Sequence, residues 1–130
     1  MQIAEQLAVY LHNNNAGVFS KHDDSGNIYI DFAPSKQNSM GILNRSGISG
    51  DIRNNYRMVG IQIYFRGSTN PVDSYERAEN VFVLLNGFKG HLISNYVVDC
   101  ISYQGGPDCL GRGENNWFEY TMNFIVHYKE

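Results

Sequence analysis

The chain has 130 residues, 42% of them hydrophobic and 18% charged, which gives room for one core and excludes a disordered composition. A net charge of −3 and a pI near 5.7 exclude the strongly basic surface that a dedicated nucleic-acid binder uses against phosphates. Nine Tyr, seven Phe and Trp117 favour a sheet-rich fold.

In chain order, Met1 to Asn14 opens the sequence. It places Ile3, Ala4, Leu7, Ala8, Tyr10 and Leu11 on one helical stripe, and the Asn13-Asn14-Asn15-Ala16-Gly17 run stops it. The same segment lacks the apolar stretch of a signal peptide, and no run approaches the roughly 20 apolar residues of a membrane span. A soluble protein made in a cytoplasm, with no membrane partner, is therefore expected. Asp23-Asp24-Ser25-Gly26 is turn chemistry. Asn27 to Phe32 then alternates as a strand, with Ile28, Ile30 and Phe32 toward the core and Tyr29 and Asp31 away from it.

Residues Ala33 to Tyr56 are rich in Ser, Asn and Gly, and predict a short edge strand near Met40 to Asn44 followed by a mobile excursion through Ser46 to Asn55. Arg57 to Arg66 is the clearest strand, with Val59, Ile61, Ile63 and Phe65 on one face and Gln62, Tyr64 and Arg66 on the other. Gly67-Ser68-Thr69-Asn70 ends it. Pro71 opens a helix that runs through Val72 to Leu85 and stops at Asn86-Gly87, with Tyr75, Ala78, Val81, Phe82 and Leu85 inward. Val83 and Leu84 fall off that face. Either the helix grows more apolar toward its end, or a neighbouring subunit covers the pair. Tyr96 to Gln104 and Phe118 to Tyr128 are two further strands, separated by a Gly/Pro-rich loop over Gly105 to Trp117. The order α-β-β-β-α-β-β implies one α+β domain over residues 1–130, a mainly antiparallel, curled sheet of four to five strands with two helices packed on it.

Chemistry-bearing patterns are sparse. His12, His22, His91 and His127 share no helical face, and neither HExxH nor CxxC is present, so no metal site is expected. Cys100 and Cys109 are too few for a disulfide framework and read as two reduced thiols. No P-loop, GxGxxG or GxSxG stands in the chain, and no cofactor or catalytic residue is assigned. Asp99, within an apolar strand, is either a buried general acid or an edge carboxylate paired with an arginine. Tyr29 and Tyr64 on the outer faces could stack bases, although no basic aromatic cluster accompanies them.

The segments Phe32-Ala33-Pro34, Ile42-Leu43-Asn44-Arg45-Ser46-Gly47, Ile61-Gln62-Ile63-Tyr64-Phe65-Arg66-Gly67 and the helix with Tyr75 and Ala78 resemble the minor capsid or tail terminator proteins of long-tailed bacteriophages. The run from Gly106 through Pro107, Leu110-Gly111-Arg112-Gly113 and Asn116 into the last strand is similar to that family's Pro-x-x-Leu-Gly-Arg-Asp-Glu-x-Gly-Arg loop. Gly113 stands where Asp is common, Asn116-Trp117 where Gly-Arg is common, and Ser46-Gly47 lacks a double glycine. The resemblance implies a non-enzymatic virion protein, assembled in the bacterial cytoplasm into a ring of six copies on the head-proximal end of the tail tube. Its partners would be further copies of itself, the tube protein and the head-tail connector or stopper, with genomic DNA sliding through the lumen unbound. On that expectation Val83, Leu84, Arg66 and Tyr64 are candidates for the contact between subunits. Arg45, Arg53, Arg57, Asp108, Leu110 and Arg112 are candidates for docking loops that order on assembly. A connector stopper, a tube protein, and a small nucleic-acid-binding or enzymatic domain are the alternatives.

Overall fold

A computed structural model describes residues 2–129 apart from 24, 49–55, 92–96 and 114. The elements are α1 (Ile3–Asn13), β1 (Ile28–Ile30), β2 (Ser39–Ile48), β3 (Tyr56–Arg66), α2 (Pro71–Leu85), β4 (Gly90–His91), β5 (Val97–Arg112) and β6 (Phe118–Lys129). The strands form one sheet in the order β1-β2-β3-β6-β5-β4, antiparallel throughout except for the β1–β2 pair. The α+β class and the two helices are as the sequence implies. The sheet gains its sixth strand from β4, two residues with no readable alternation.

Both helices cover the same face. Ile3, Ala4, Leu7, Ala8 and Leu11 of α1 and Ala78, Val81 and Leu85 of α2 join one cluster with Met40, Ile42, Ile61, Ile63, Phe65, Met122, Phe124 and Val126 from the sheet. Each of these strands contributes every second residue, as the pleat requires. α1 lies over β1 and β2, and α2 over β5 and β6. The two helices meet where the Tyr10 hydroxyl donates to the Leu84 carbonyl at 3.1 Å and the Tyr10 ring packs on Phe88.

The start of α2 follows from its sequence. Asn70 is the N-cap, its Oδ1 accepting from the Val72 and Asp73 amides at 3.0 and 3.2 Å, with Pro71 in the first turn. One turn in, Ser74 is fully buried, and its Oγ accepts from the Ser68 amide at 2.8 Å while donating to the Asn70 carbonyl at 2.7 Å. Gly67 faces this hydroxyl so closely that a Cβ would overlap it, so the β3–α2 junction needs a residue without a side chain.

Several expectations change. Phe32 does not continue the core face of β1; it is 49% exposed. Asp31 turns the chain at φ 63°, and its carboxylate is held by the Asn44 amide, so the strand ends at Ile30. Tyr75 of α2 is exposed rather than inward, leaning on Tyr120 with ring centroids 6.2 Å apart.

The largest change concerns the Gly/Pro segment. Most of Gly105 to Trp117 is strand, with Gly105, Asp108, Cys109, Gly111 and Arg112 all registered against β6. The register shifts repeatedly along this stretch, so the glycines and Pro107 serve as bulge residues within a continuing strand. Gly106 adopts φ 103° against the Thr121 carbonyl, a close approach that a Cβ would block. The excursion expected after Asn44 is likewise shorter, since β2 pairs with β3 as far as Ile48. Its remainder, with Arg53, lies outside the described residues, as does the expected start of a strand at Tyr96.

Candidate functional site

The motif segments singled out in the sequence meet at one end of the sheet. β3 ends there at Arg66, β6 begins at Phe118, and the connection 31–38 between β1 and β2 passes beside them. Gly67 donates its amide to the Phe118 carbonyl at 2.8 Å, and Phe118 returns its own to Ser68 at 3.0 Å. The Arg66 guanidinium donates through Nη1 to Glu119 Oε1 at 2.7 Å and through Nη2 to the Ala33 carbonyl at 3.2 Å. The Tyr64 hydroxyl donates to Glu119 Oε2, and the guanidinium lies 4.9 Å from the Tyr64 ring centroid. Asn115 Nδ2 reaches Ser35 Oγ at 3.0 Å. Between them is a cleft of about 350 Å³ lined by Ser35, Arg66, Gly113, Asn115, Trp117 and Glu119.

Register explains the cluster. Arg66 pairs with Glu119 and Tyr64 with Thr121, so arginine, tyrosine and carboxylate share the face that no helix covers. Partial burial, then the Glu119 carboxylate, raise the Tyr64 hydroxyl above its ordinary pKa, with Arg66 opposing. The hydroxyl therefore stays protonated and remains a donor to Glu119. Glu119, Trp117, Asn115 and Ser35 escaped the sequence reading. The alternation of β6 assigns Glu119 to the outer face, but which strand lies opposite it is a matter of register, which one sequence does not show.

The remaining candidates are dispersed. Arg45 donates to Gln62 on the same outer face, and Arg57 is exposed at the start of β3. Asp108, Leu110 and Arg112 lie exposed along β5, the Arg112 guanidinium 5.1 Å from the Phe118 ring centroid. Val83 projects outward from α2 at 64% exposure. Leu84 instead packs in part against the core, beside Tyr10.

The titratable side chains at the cleft, Arg66 and Glu119, are paired with each other. Asp99 is exposed at a register shift of β5, which overturns the buried-acid reading, and among the described residues it forms no ion pair with an arginine. His12 Nδ1 accepts from the Phe19 amide at 3.1 Å, His127 lies 3.2 Å from Ser102 Oγ, and His22 and His91 are exposed. No group of three or more His, Cys, Asp or Glu among the described residues could hold a metal ion. Cys100 and Cys109 are free thiols. Burial foremost, then Cys109 and Tyr75, raise the pKa of the Tyr120 hydroxyl. No helix among the described residues is long and apolar enough to cross a membrane.

The fold is similar to that of a chain in the virion of a native gene transfer agent particle. The TM-score is 0.58 over 80% of this chain and 79% of that one, at 11% identity, a likeness of fold. No curated protein matches in sequence. A sequence model of the family described as "Bacteriophage tail terminator protein" matches residues 10–130, and the chain belongs to that family. Its role is structural, as a tail terminator.

Proposed function

We propose that copies of this chain close into a ring, six to a turn, on the head-proximal end of a phage tail tube. There the ring stops further tube subunits from adding and presents the joint to the head connector. Assembly takes place in the bacterial cytoplasm, and the protein performs no reaction. The family match over residues 10–130 carries this reading. The occurrence of the same fold in a gene transfer agent virion supports it, because such a particle is built from assembled structural subunits.

The chain offers what assembly requires. A ring needs two different, mutually complementary surfaces on each copy. Large apolar side chains stand in solvent on α2 and β5, Val83 and Leu110 among them, where a lone subunit has no use for them. The cleft end of the sheet, with Trp117, Asn115 and Arg66, is a hydrogen-bonded platform suited to an axial partner at tube or connector. A net charge of −3 lets DNA pass through a lumen without adhering.

Purified tube subunits polymerised with and without the protein test the proposal. Tubes should shorten as the ratio of this chain to tube subunit rises, with the protein at one end only. Tubes of unchanged length would remove the terminating role. Binding to the head connector without any effect on tube length would favour a stopper instead.

A further inference from the structure

Asn86-Gly87 ends α2, and it is the one place in the chain where glycine follows asparagine. That pair carries a chemistry of its own. The main-chain nitrogen of the following residue, once it gives up its proton, can attack the asparagine Cγ, and glycine, without a Cβ, hinders the approach least. A C–N bond forms, ammonia leaves, and a five-membered succinimide remains. Water then opens the ring at either carbonyl, giving aspartate or its β-linked isomer. Whether a folded chain reacts depends on how it holds the two groups.

The electrophile is free. Asn86 is exposed, and its side chain forms no hydrogen bond among the described residues. The nucleophile is not free. Gly87 donates its amide to the Ile101 carbonyl of β5 at 2.8 Å, and Ile101 donates its own to the Phe88 carbonyl at 3.2 Å. The proton that must leave the Gly87 nitrogen is therefore held in a hydrogen bond. At an Asn86 ψ of 119° that nitrogen is also turned away from the Asn86 side chain. Ring closure needs a wide rotation about the Asn86 Cα–C bond, and the rotation carries the Gly87 amide off Ile101.

The junction around the pair is anchored on both sides. Asn86 donates its amide to the Phe82 carbonyl at 2.8 Å, and Phe88 donates to the Leu85 carbonyl at 3.1 Å. Leu85 is fully buried. The Phe88 ring packs on Tyr10 of α1 with centroids 4.6 Å apart, and the Tyr10 hydroxyl reaches the Leu84 carbonyl. The Gly87 amide can leave Ile101 only when the end of α2, β5 and α1 part locally.

We infer that Asn86 is the deamidation site of this chain, kept latent in the folded protein by the Gly87–Ile101 hydrogen bond and released when the α2–β5 junction opens. The product does not refit. The β-linked isomer adds a methylene to the main chain ahead of the Gly87 amide, which shifts that amide against Ile101. Either product places a carboxylate at the C-terminal end of α2, where the helix dipole already presents negative partial charge. The reaction thus loosens the junction that guards against it. None of this depends on the ring proposed above.

Peptide mapping by mass spectrometry tests it, on the full chain incubated at mildly alkaline pH with and without urea. In urea Asn86 should be the first asparagine converted. In buffer its conversion should be at least about tenfold slower, since the reaction then tracks the open population alone. Hydrogen exchange should find the Gly87 amide protected in buffer. Phe88→Ala removes the ring packed on Tyr10, and should raise the rate in buffer several-fold while leaving the rate in urea unchanged. Should that variant unfold, low concentrations of urea loosen the wild type instead, and conversion of Asn86 should rise in step with exchange at Gly87. Equal rates in buffer and in urea, or an unprotected Gly87 amide, would show that the hydrogen bond guards nothing. Another asparagine reacting first in urea would overturn the assignment of the site.

Discussion

The two helices lie on the same face of the same sheet yet treat their apolar residues differently. α1 turns Ile3, Leu7 and Leu11 into the core and leaves no large hydrophobic residue exposed. α2 buries Ala78, Val81 and Leu85, and holds Val72, Tyr75 and Val83 out in water. One amphipathic helix accounts fully for its sequence by folding. The other carries more apolar surface than folding uses, and the excess points to a neighbour.

That contrast can be broken most forcefully at α1. Leu7 is fully enclosed, so Leu7→Ala removes buried methyl groups and leaves a cavity, at a cost of about 2–5 kcal/mol in urea unfolding. Next in size is Gly67→Ala at the foot of α2, where the new Cβ meets Ser74 and the crowding should cost about 1–3 kcal/mol. Asn70→Ala removes the cap of α2 and should cost about 1 kcal/mol, while α1, whose N-cap Gln2 makes no side-chain cap bond, has no counterpart to lose. Val83→Asp should change stability by no more than about 0.5 kcal/mol. An effect as large as that of Leu7→Ala would show that α2 has no spare face.

The smallest effect lies in the turn after α1. Hydrogen bonds from the Ser20 hydroxyl and then from Ser25 lower the Asp23 carboxyl from 3.8 to about 2. A lowered pKa stabilises the fold above the ordinary carboxylate range, and this contribution is lost as pH falls through about 2. Asp23→Asn should therefore lower Tm slightly at pH 6 and leave it unchanged below pH 2.

What the sequence made legible follows from local periodicity. The alternation of Val59, Ile61, Ile63 and Phe65 and the helical spacing of Leu7 and Leu11 concern neighbours along one chain, and both are borne out. The α2 start was equally plain, because Asn70-Pro71 is a local signal. Phe32 misled because its alternation continues past the point where Asp31 reverses the backbone. Residues 105–112 misled because glycine and proline mark loops and bulges alike, and only the pairing partner, β6, distinguishes them. The Arg66–Glu119 pair depends on register between strands more than fifty positions apart. The resemblance of Gly106 to Asn116 to a terminator loop identified the family through a segment whose conformation was read differently.

The most direct test of the account is an electron cryomicroscopy image of assembled tail tubes incubated with this protein. It should show one added ring, built of this chain, at a single end of each tube. Tubes bare at both ends, or coated along their sides, would contradict it.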